Sequence, residues 1–282
     1  MHDRLRAGSS VAGFRLLRLL GEGAQSCVYL GQRLAGNDIV ALKIAAMGTG
    51  DKAAAMGRDF LLAARVAQQL IHPDIVMVLG AGVEGPLAWL AMEAVPGTDL
   101  SRYTRAPRRL PEPVVLRLVA RLAAALAYAH RQGVVHRDLK PANVLVNWAD
   151  ASVKLVDFGL ARVSGPSNTG TGVVMGTPAY MAPEQLAGAV PRPEADFYAL
   201  GVLLFELLTG RLPHGGDSMG ELLRQVAQEP APDLLALQPG LPAELGQLLS
   251  ALLAKSPAAR PTDGDAIAAQ LSRLSHALGA AA

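Results

Sequence analysis

The periodicity of the apolar residues changes near Val95, and this change constrains the fold more than any other feature of the chain. Before it, short apolar runs are separated by Gly, Pro or Asn-Asp turn signals, as in β-strands. One helical run, roughly residues 53–70, interrupts them. After it, apolar residues recur at helical spacing. The pattern predicts an α+β fold with a strand-rich lobe at residues 14–94 and a mainly helical lobe at residues 95–275.

The elements within each lobe follow from the same runs. Strands are expected in the stretches "FRLLRLL", "CVYLGQRL", "DIVALKIA", "IVMVLGAGV" and "PLAWLAMEAV". Helices of the second lobe are expected at residues 111–131, 194–209, 218–228, 242–254 and 263–278. Residues 1–13 are interpreted as an N-terminal extension and residues 276–282 as a fraying tail. The connector between the lobes lies near Gly97, and such joins are common ligand clefts.

Composition narrows the class of protein. The chain has 282 residues, of which 51% are hydrophobic and 18% charged, as in soluble globular proteins. A net charge of +2 is too small to indicate a nucleic-acid partner. A single cysteine, Cys27, excludes an intramolecular disulfide and suits a reducing compartment. No apolar run reaches the ~18 residues of a membrane span. We expect a cytoplasmic location, although a longer parent protein could carry an anchor elsewhere.

Two motifs of the first lobe are compatible with phosphate binding, and each is weak alone. "GEGAQSCV" places Gly21 and Gly23 between two strands, where backbone N–H groups can approach a phosphate closely. A plain Gly-rich turn explains the same residues. Lys43 of "VALK" lies among apolar neighbours on a strand, where a buried ammonium group needs an anionic partner. A surface lysine whose stem lies along the strand is the alternative.

The segment "HRDLKPANVLV" concentrates catalytic chemistry within a few residues. Asp138 can accept a hydroxyl proton, and Lys140 can neutralise a phosphoryl group in transfer. Asn143 offers an amide oxygen to a magnesium ion. The strand-like stretch "ASVKLVDFGLA" follows and places Asp157 on a turn, as a second metal ligand.

Together with "GTPAYMAPE" and "DFYALGVLLFELLTGRLP", these segments resemble the protein kinase family from about Phe14 to about Leu274. Six motifs stand in family order at family-like spacing. The resemblance implies the two-lobed protein-kinase fold, with a small antiparallel-sheet N-lobe that holds one helix and a mainly helical C-lobe. The bacterial serine/threonine kinases are the most similar branch. They too often have Ser where the third glycine of the loop is expected, as at Ser26.

The resemblance implies ATP as the cofactor and assigns the residues that bind it. Adenine is expected to contact five apolar side chains: Leu20, Val28, Ala41, Met92 and Leu145. Its edge is expected to contact backbone groups of Glu93 and Val95. The phosphates are expected to contact Gly21, Gly23 and Lys43.

The resemblance also assigns the chemistry of transfer. Asp138 is expected to orient and deprotonate the acceptor hydroxyl, while Asn143 and Asp157 hold Mg²⁺ or Mn²⁺. Two further contacts are implied as structural: an ion pair of Glu184 with Arg260, and a bond of Asp196 to the backbone of the His136–Asp138 turn.

The acceptor and the regulation follow from the same likeness. Lys140, two residues after the catalytic acid, and Thr177 resemble the serine/threonine pattern, so protein substrates with Ser or Thr acceptors are expected. Arg137 is the kind of arginine that receives a phosphate from the activation loop. That loop offers Ser164, Ser167, Thr169 and Thr171, and we favour Thr169 and Thr171 as autophosphorylation sites, with self-association as a route to transfer in trans. The alternative is that Ser and Thr merely form the loop.

One residue departs from the family pattern. In kinases the helix of the N-lobe carries a glutamate that pairs with the strand lysine, and alignment of "RDFLLAARVAQQLIHP" puts Ala63 at that position. Three alternatives stay open: Asp59 substitutes for the glutamate, Lys43 relies on Asp157 and the phosphates, or the register is off by one turn. The departure also keeps open a nucleotide-binding pseudokinase that acts as a scaffold.

Two features stay outside this scheme. "RYTRAPRR", residues 102–109, is interpreted as a solvated basic loop, with a docking site for an acidic partner as the alternative. Cys27 is placed in the glycine loop and is expected to be exposed near ATP. No second cysteine is present to form a disulfide with it, so we interpret it as incidental rather than as a redox switch.

Overall fold

The computed structural model describes residues 5–23, 26–158 and 178–280 of the chain. Two compact units share these residues: the first holds those up to Pro96, and the second begins at Gly97. The first unit is rich in strands and the second in helices. The α+β class is therefore confirmed. Every helix and strand predicted above is present, with ends within three residues of the prediction.

The first unit is a twisted antiparallel sheet with one long helix. Its strands are β1 Ser10–Val11, β2 Phe14–Glu22, β3 Ser26–Arg33, β4 Ile39–Ala46, β5 Val78–Glu84 and β6 Leu87–Glu93, and its helix is α1 Asp51–Ala67. The sheet order is β1-β2-β3-β4-β6-β5. Alternation along β3 and β4 sends every second side chain to one face. On that face a core forms from Leu5, Phe14, Leu16, Cys27, Tyr29, Val40, Leu42, Ile44 and Ala91.

The described part of the predicted N-terminal extension belongs to this core. Leu5 is buried, and its carbonyl oxygen accepts a hydrogen bond of 2.9 Å from the Tyr29 hydroxyl. The amide of Gly8 donates to the carbonyl of Leu16, whose own amide donates to Ser9. Residues 5–13 are thus integrated into the sheet of the first unit, because their backbone groups bond to β2 and their apolar side chains cover its face.

A tryptophan packs against the edge of this core. Trp89 on β6 meets the ring of Phe14 edge to face, with centroids 5.6 Å apart. Its indole lies directly over Gly82 of β5, where a Cβ atom would come within 2.6 Å of the ring. A Cβ at Gly80 on the same strand would stay 3.6 Å away. The close approach of strand and indole therefore requires glycine at position 82 only.

The helices of the second unit pack around two buried helices, α2 and α4. In chain order they are α2 Glu112–Arg131, α3 Pro183–Leu186, α4 Pro193–Thr209, α5 Met219–Gln228, α6 Leu234–Leu237, α7 Ala243–Leu252 and α8 Gly264–Ala280. Helix α4 is buried along almost its whole length, and α2 packs against both α4 and α8. Gly264 permits the approach of α8, since a Cβ there would lie 2.9 Å from that of Ala127. Short 3₁₀ turns occur at Leu100–Tyr103, Pro141–Asn143, Pro178–Tyr180 and Pro257–Ala259.

A small three-stranded sheet completes the second unit. Its strands are β7 Thr98–Asp99, β8 Val144–Asn147 and β9 Ser152–Leu155, in that order across the sheet. Gly97 precedes β7 with a positive φ of 131°, and a Cβ there would lie 2.2 Å from the carbonyl oxygen of Val146. Only glycine fits this approach of the chain to β8.

One helix of the described chain is long and apolar enough to cross a membrane by composition alone. It is α2, and 61% of its most apolar window is buried within the protein. Its buried residues pack in the core of the second unit.

The packing of Trp89 generates a stability prediction. We expect Gly82→Ala to lower the free energy of unfolding by about 1–3 kcal/mol, because the new methyl group overlaps the indole ring. Gly80→Ala is the matched control on the same strand and should change it by less than about 1 kcal/mol. Urea denaturation of both variants measures the difference. Equal effects of the two substitutions would contradict the role given to Trp89.

Candidate active site

The segment around Asp138 is held by a buried carboxylate of another element. Asp196, in the first turn of α4, is 1% exposed. Its two oxygens accept hydrogen bonds of 2.8 Å each from the backbone amides of His136 and Arg137. Arg137 has a positive φ of 72°, which costs a residue with a side chain of order 1–3 kcal/mol. The bonds to Asp196 hold this strained turn, as predicted for Asp196.

His136 connects the same turn to the strand that precedes Asp157. Its ring is fully buried and packs edge to face on Phe158, with centroids 4.6 Å apart. Its Nδ1 accepts from the amide of Asp138 at 3.3 Å, and its Nε2 lies 2.9 Å from the carbonyl oxygen of Val156. These partners require the neutral tautomer with the proton on Nε2. The backbone at Asp138 is thereby held by the Asp196 carboxylate on one residue and by the His136 ring on the next.

The side chain of Asp138 lies between a cation and an amide. The Lys140 ammonium donates to its two oxygens at 3.0 and 2.7 Å. The Asn143 amide nitrogen donates to its carbonyl at 2.7 Å and to its carboxylate at 3.0 Å. The structure thus brings together the three residues that the sequence selected as catalytic or metal-binding in this segment. Because its nitrogen is committed to Asp138, Asn143 offers its oxygen to a cation.

Strand pairing places Asp157 next to Asn143. Val144 pairs with Leu155 in the β8–β9 ladder, and the Val156 amide donates to the Asn143 carbonyl at 3.0 Å. Asp157 is therefore the second residue beyond the end of this ladder, in a left-handed conformation with a φ of 66°. Within the described residues no cluster of three or more His, Cys, Asp or Glu side chains could hold a metal ion. The predicted ligand set is of another kind, one carboxylate and one amide oxygen.

In the first unit, the predicted nucleotide contacts share one face of the sheet. Val28 pairs with Lys43, Leu30 with Ala41, and Ala41 with Met92. Paired residues point to the same side of an antiparallel sheet, so Val28, Ala41, Lys43 and Met92 lie on one face. The apolar core around Leu42 occupies the opposite face. The alternation predicted for Lys43 is present.

The glycine-rich segment continues the first hairpin. Gly21 pairs with Val28, and the Gly23 amide donates to the Ser26 carbonyl at 2.8 Å across the turn. Leu20 beside them is 43% exposed. Cys27, expected to be exposed, is buried in the core on the other face of β3, and burial raises the pKa of its thiol. That expectation was wrong, because the register of β3 points Cys27 away from the face of Val28 and Lys43.

The remaining adenine contacts predicted from the sequence lie on or just after strands. Glu93 ends β6, and its amide donates to the Met77 carbonyl at 2.9 Å, while its carboxylate accepts from the Met77 amide. The N–H of Glu93 is thus committed inside the first unit. Val95 follows two residues later, and Leu145 lies on β8 in the second unit, where it pairs with Lys154.

Helix α1 carries the position that departs from the family pattern. Its buried face consists of Gly57, Phe60, Ala64 and Ala67. Ala63 lies half-buried at the edge of that face. Asp59 is exposed, and within the described chain it forms no hydrogen bond or ion pair. In this conformation the aspartate does not take the place of the expected glutamate.

A buried ion pair lies within the second unit. The two terminal guanidinium nitrogens of Arg260 donate to the Glu184 carboxylate, at 2.6 and 2.8 Å, as predicted from the sequence. The guanidinium, completely buried, also donates to backbone carbonyls and lies over the Tyr198 ring at 4.9 Å. A fully satisfied fork of this kind suits arginine and not lysine.

The loop residues considered for phosphorylation and the threonine of the acceptor pattern lie outside the described residues: Ser164, Ser167, Thr169, Thr171 and Thr177.

Two residues that support the turn at Asp138 have no signal in the sequence. His130 on α2 is bonded through Nε2 to an Asp196 oxygen at 2.7 Å. Gln185 on α3 donates to the Arg137 carbonyl at 3.2 Å. Both contacts join residues far apart in the sequence, and no local spacing signals them.

Comparison with known proteins agrees with the motifs. A family model described as a protein kinase domain matches residues 14–273. Serine/threonine-protein kinase PknJ of Mycobacterium tuberculosis is 40% identical over 276 residues, which cover 93% of this chain and 45% of the relative. Serine/threonine-protein kinase PrkC of Bacillus subtilis is 33% identical over 252 residues, which cover 89% of this chain and 39% of the relative.

The matched region spans a larger share of a third relative. Serine/threonine-protein kinase PknL of Mycobacterium tuberculosis is 36% identical over 264 residues, which cover 92% of this chain and 65% of the relative. The chain thus spans between 39% and 65% of the length of these curated relatives.

The bonds to Asp196 generate a second stability prediction. We expect Asp196→Asn to lower the free energy of unfolding by about 2–4 kcal/mol, because an amide has one acceptor oxygen for two buried backbone N–H groups. Asp265→Asn, on the exposed side of α8, is the control and should cost less than about 1 kcal/mol. Urea denaturation followed by circular dichroism compares them. A loss no larger than that of the control would show that the turn is held by other contacts.

Proposed function

The chain belongs to the protein kinase family, and on that premise we propose that it is an ATP-dependent kinase that phosphorylates serine or threonine in protein substrates. The observation that carries this proposal is the arrangement of Asp138 between Lys140 and Asn143. An acid held in this way is oriented for one acceptor hydroxyl, and a lysine beside it offsets negative charge on the phosphoryl group. The names of the relatives, all serine/threonine-protein kinases, support the same acceptor class.

We propose that Asn143 and Asp157 hold the divalent cation. Two hard oxygen ligands at neighbouring strand ends suit Mg²⁺, and Mn²⁺ accepts the same donors. The cation supplies charge neutralisation to the phosphates of ATP when it is bound. The chain's own part is to fix the two oxygens, which the β8–β9 ladder and the bond of the Asn143 amide to Asp138 support.

We propose that ATP binds the sheet face of Lys43. Val28, Ala41 and Met92 offer apolar contacts to adenine on that face, and Leu20 and Leu145 are proposed as further contacts. The Glu93 amide is committed to Met77, so its carbonyl is the group that we expect to accept from the adenine amine, with Val95 as the second backbone contact. Gly21 and Gly23 are proposed to cover the phosphates, and Lys43 to bind the α and β groups.

A nucleotide-binding pseudokinase that acts as a scaffold is the second candidate. The observation that favours it is Ala63, which cannot pair with a lysine, together with the exposure of Asp59. Against it stand Lys43, Asp138, Asn143 and Asp157, which supply every other group that phosphoryl transfer needs. We therefore prefer the active kinase.

Phosphate transfer by two aspartate variants tests the proposed function. The protein should transfer labelled phosphate from Mg²⁺-ATP to itself or to a protein substrate. Asp138→Asn should lower kcat by about 10²–10⁴-fold and leave nucleotide affinity near that of the wild type, because only the group facing the acceptor is lost.

Asp157→Asn should instead raise the Mg²⁺ concentration needed for half-maximal rate, because a metal ligand is lost. Asp217→Asn, an exposed aspartate of the second unit, is the control with unchanged activity. Transfer by Asp138→Asn at the wild-type rate would refute the proposed role, and nucleotide binding without any transfer by the wild type would favour the scaffold.

We further propose that Thr169 and Thr171 are autophosphorylated and that Arg137 receives a phosphate. A phosphate near an arginine gains about one to three charge-assisted hydrogen bonds. Phosphopeptide mapping of active protein should find one or both threonines modified, and Thr169→Ala/Thr171→Ala should lower activity. Ser164→Ala/Ser167→Ala is the matched pair from the same loop. Active protein without phosphate on either threonine would contradict this proposal.

The helix variants test the position of Ala63. Ala63→Glu should maintain or raise kcat/KM, because a glutamate at the edge of the buried face of α1 can supply the acid that kinases use there. Asp59→Ala should leave kcat/KM unchanged, since Asp59 is exposed and has no partner in the described chain. Loss of activity in Asp59→Ala would show that the helix shifts to use it. Loss of folding in Ala63→Glu would show that the alignment of α1 is wrong.

A further inference from the structure

The loop between β7 and α2 presents arginines to solvent. Arg102, Arg105 and Arg108 are exposed, and their guanidinium groups form no hydrogen bond or ion pair with the residues that the structure describes. Arg109 differs, because it donates to the Leu208 carbonyl and anchors the loop to α4. The charge of Arg105 acts on Tyr180 and Glu206, where it opposes the rise in pKa that burial causes in each group. Arg102 and Arg108 are left as the outward charges of this loop.

An exposed tryptophan contacts the tyrosine that follows Arg102. Trp148, on the turn between β8 and β9, is 47% exposed. Its Nε1 donates to the Tyr103 hydroxyl at 2.7 Å, and the two rings meet edge to face with centroids 5.4 Å apart. Bonds from Thr98 and Trp148, and the charges of Arg102 and Arg108, lower the pKa of Tyr103. Arg102 precedes Tyr103 in the chain, and the charges of both arginines act on the Tyr103 hydroxyl. We call Arg102, Tyr103, Arg108 and Trp148 the basic-aromatic patch.

The hydrogen bonds of the patch fix its shape and leave both guanidinium groups and part of the indole exposed. Tyr103 is hydrogen-bonded to Thr98 on β7 and to Trp148 on the turn between β8 and β9, so these bonds join the loop to the small sheet. The indole of Trp148 and the guanidinium groups of Arg102 and Arg108 stay open to solvent. Aromatic residues and arginine are the types enriched where proteins bind proteins.

Charge distinguishes among the anionic partners. A long polyanion or an anionic membrane needs a broad positive surface, and the chain has a net charge of only +2. Asp150 lies fully exposed on the same turn as Trp148, and Asp99 ends β7, so uniform negative charge would meet repulsion here. A short segment with a few carboxylates can avoid these acids and still pair with two arginine forks.

We propose that the basic-aromatic patch docks an acidic segment of the protein substrate, with carboxylates on Arg102 and Arg108 and an apolar side chain on Trp148. This proposal rests on the proposed kinase function. The patch contains none of the residues assigned to ATP, the cation or the acceptor hydroxyl. Docking therefore raises the local concentration of the substrate and lowers KM, while kcat stays the same.

Three model peptides with the same serine acceptor test the docking. The first has no tail, the second has a flexible tail of Asp and Glu around one Leu, and the third has the same tail with Gln and Asn in place of the acids. The acidic tail should lower KM about three- to tenfold at low salt, as expected for two exposed charge pairs and one apolar contact. The neutral tail should give little change, and high salt should remove the advantage.

The variants assign the effect to the patch. Arg102→Ala/Arg108→Ala should abolish the advantage of the acidic tail and leave the untailed peptide unaffected. Trp148→Ala should reduce the advantage, and Trp148→Phe should retain most of it. Arg117→Ala/Arg273→Ala is the matched control, because it removes the same charge from exposed positions on α2 and α8. An advantage lost equally in this control would reduce the effect to net charge and overturn the proposal.

Binding measured without turnover separates this proposal from the proposed function. Fluorescence anisotropy of the labelled acidic tail with Asp138→Asn should show binding that the patch variants weaken. No phosphorylation of any peptide would refute the kinase function, and phosphorylation with no effect of the tail on KM or binding would refute the docking site. Single-stranded DNA or phosphatidylserine vesicles are the competing partners. If either binds the patch as tightly as the acidic tail or more tightly, the patch serves another partner and the proposed docking of an acidic segment is wrong.

Discussion

The buried carboxylate of Asp196 is the contact on which the catalytic segment depends. A buried charge is costly unless hydrogen bonds replace its water, and Asp196 receives bonds from the amides of His136 and Arg137 and from the His130 ring. The same bonds compensate the strained conformation of Arg137. The cost of burying the acid and the cost of straining the turn are thus offset by one set of contacts. Helices α2 and α4 are connected through it to Asp138.

The orientation of the proposed metal ligands follows from that turn. His136 extends it to Val156, and Asn143 bonds back to Asp138, so the end of the β8–β9 ladder and the turn form one hydrogen-bonded network. Asp157 has the second left-handed backbone in this network, next to the buried contact of Phe158 with His136. Two strained residues lie among the groups assigned to catalysis, which is where proteins retain such strain. The pairing of strands alone would not fix either side chain.

The sequence predicted those features that local patterns determine. Periodicity located the strands and helices, because burial on one face selects every second residue in a strand and every third or fourth in a helix. The motif order predicted the protein-kinase fold, which is confirmed. Features that depend on distant residues were missed or wrong: the pairing register that buries Cys27, the integration of Leu5 into the core, and the bonds of His130 and Gln185. Their partners lie many residues away, so no spacing within one segment can indicate them.

Burial also separates the groups that hold the second unit and its catalytic turn in place from those suited to recognition. Asp196, His136 and Arg260 are buried and have their hydrogen bonds satisfied inside the second unit, so they cannot bind a partner without leaving another buried group unpaired. Arg102 and Arg108 are solvated, so they can exchange water for a carboxylate at little cost. An interaction formed in this way is weak and sensitive to salt, and it can distinguish substrates without disturbing the buried network that holds Asp138. Selection by the exposed patch and catalysis by the buried network can therefore vary independently, because no described hydrogen bond or ion pair joins the side chains of these two arginines to that network.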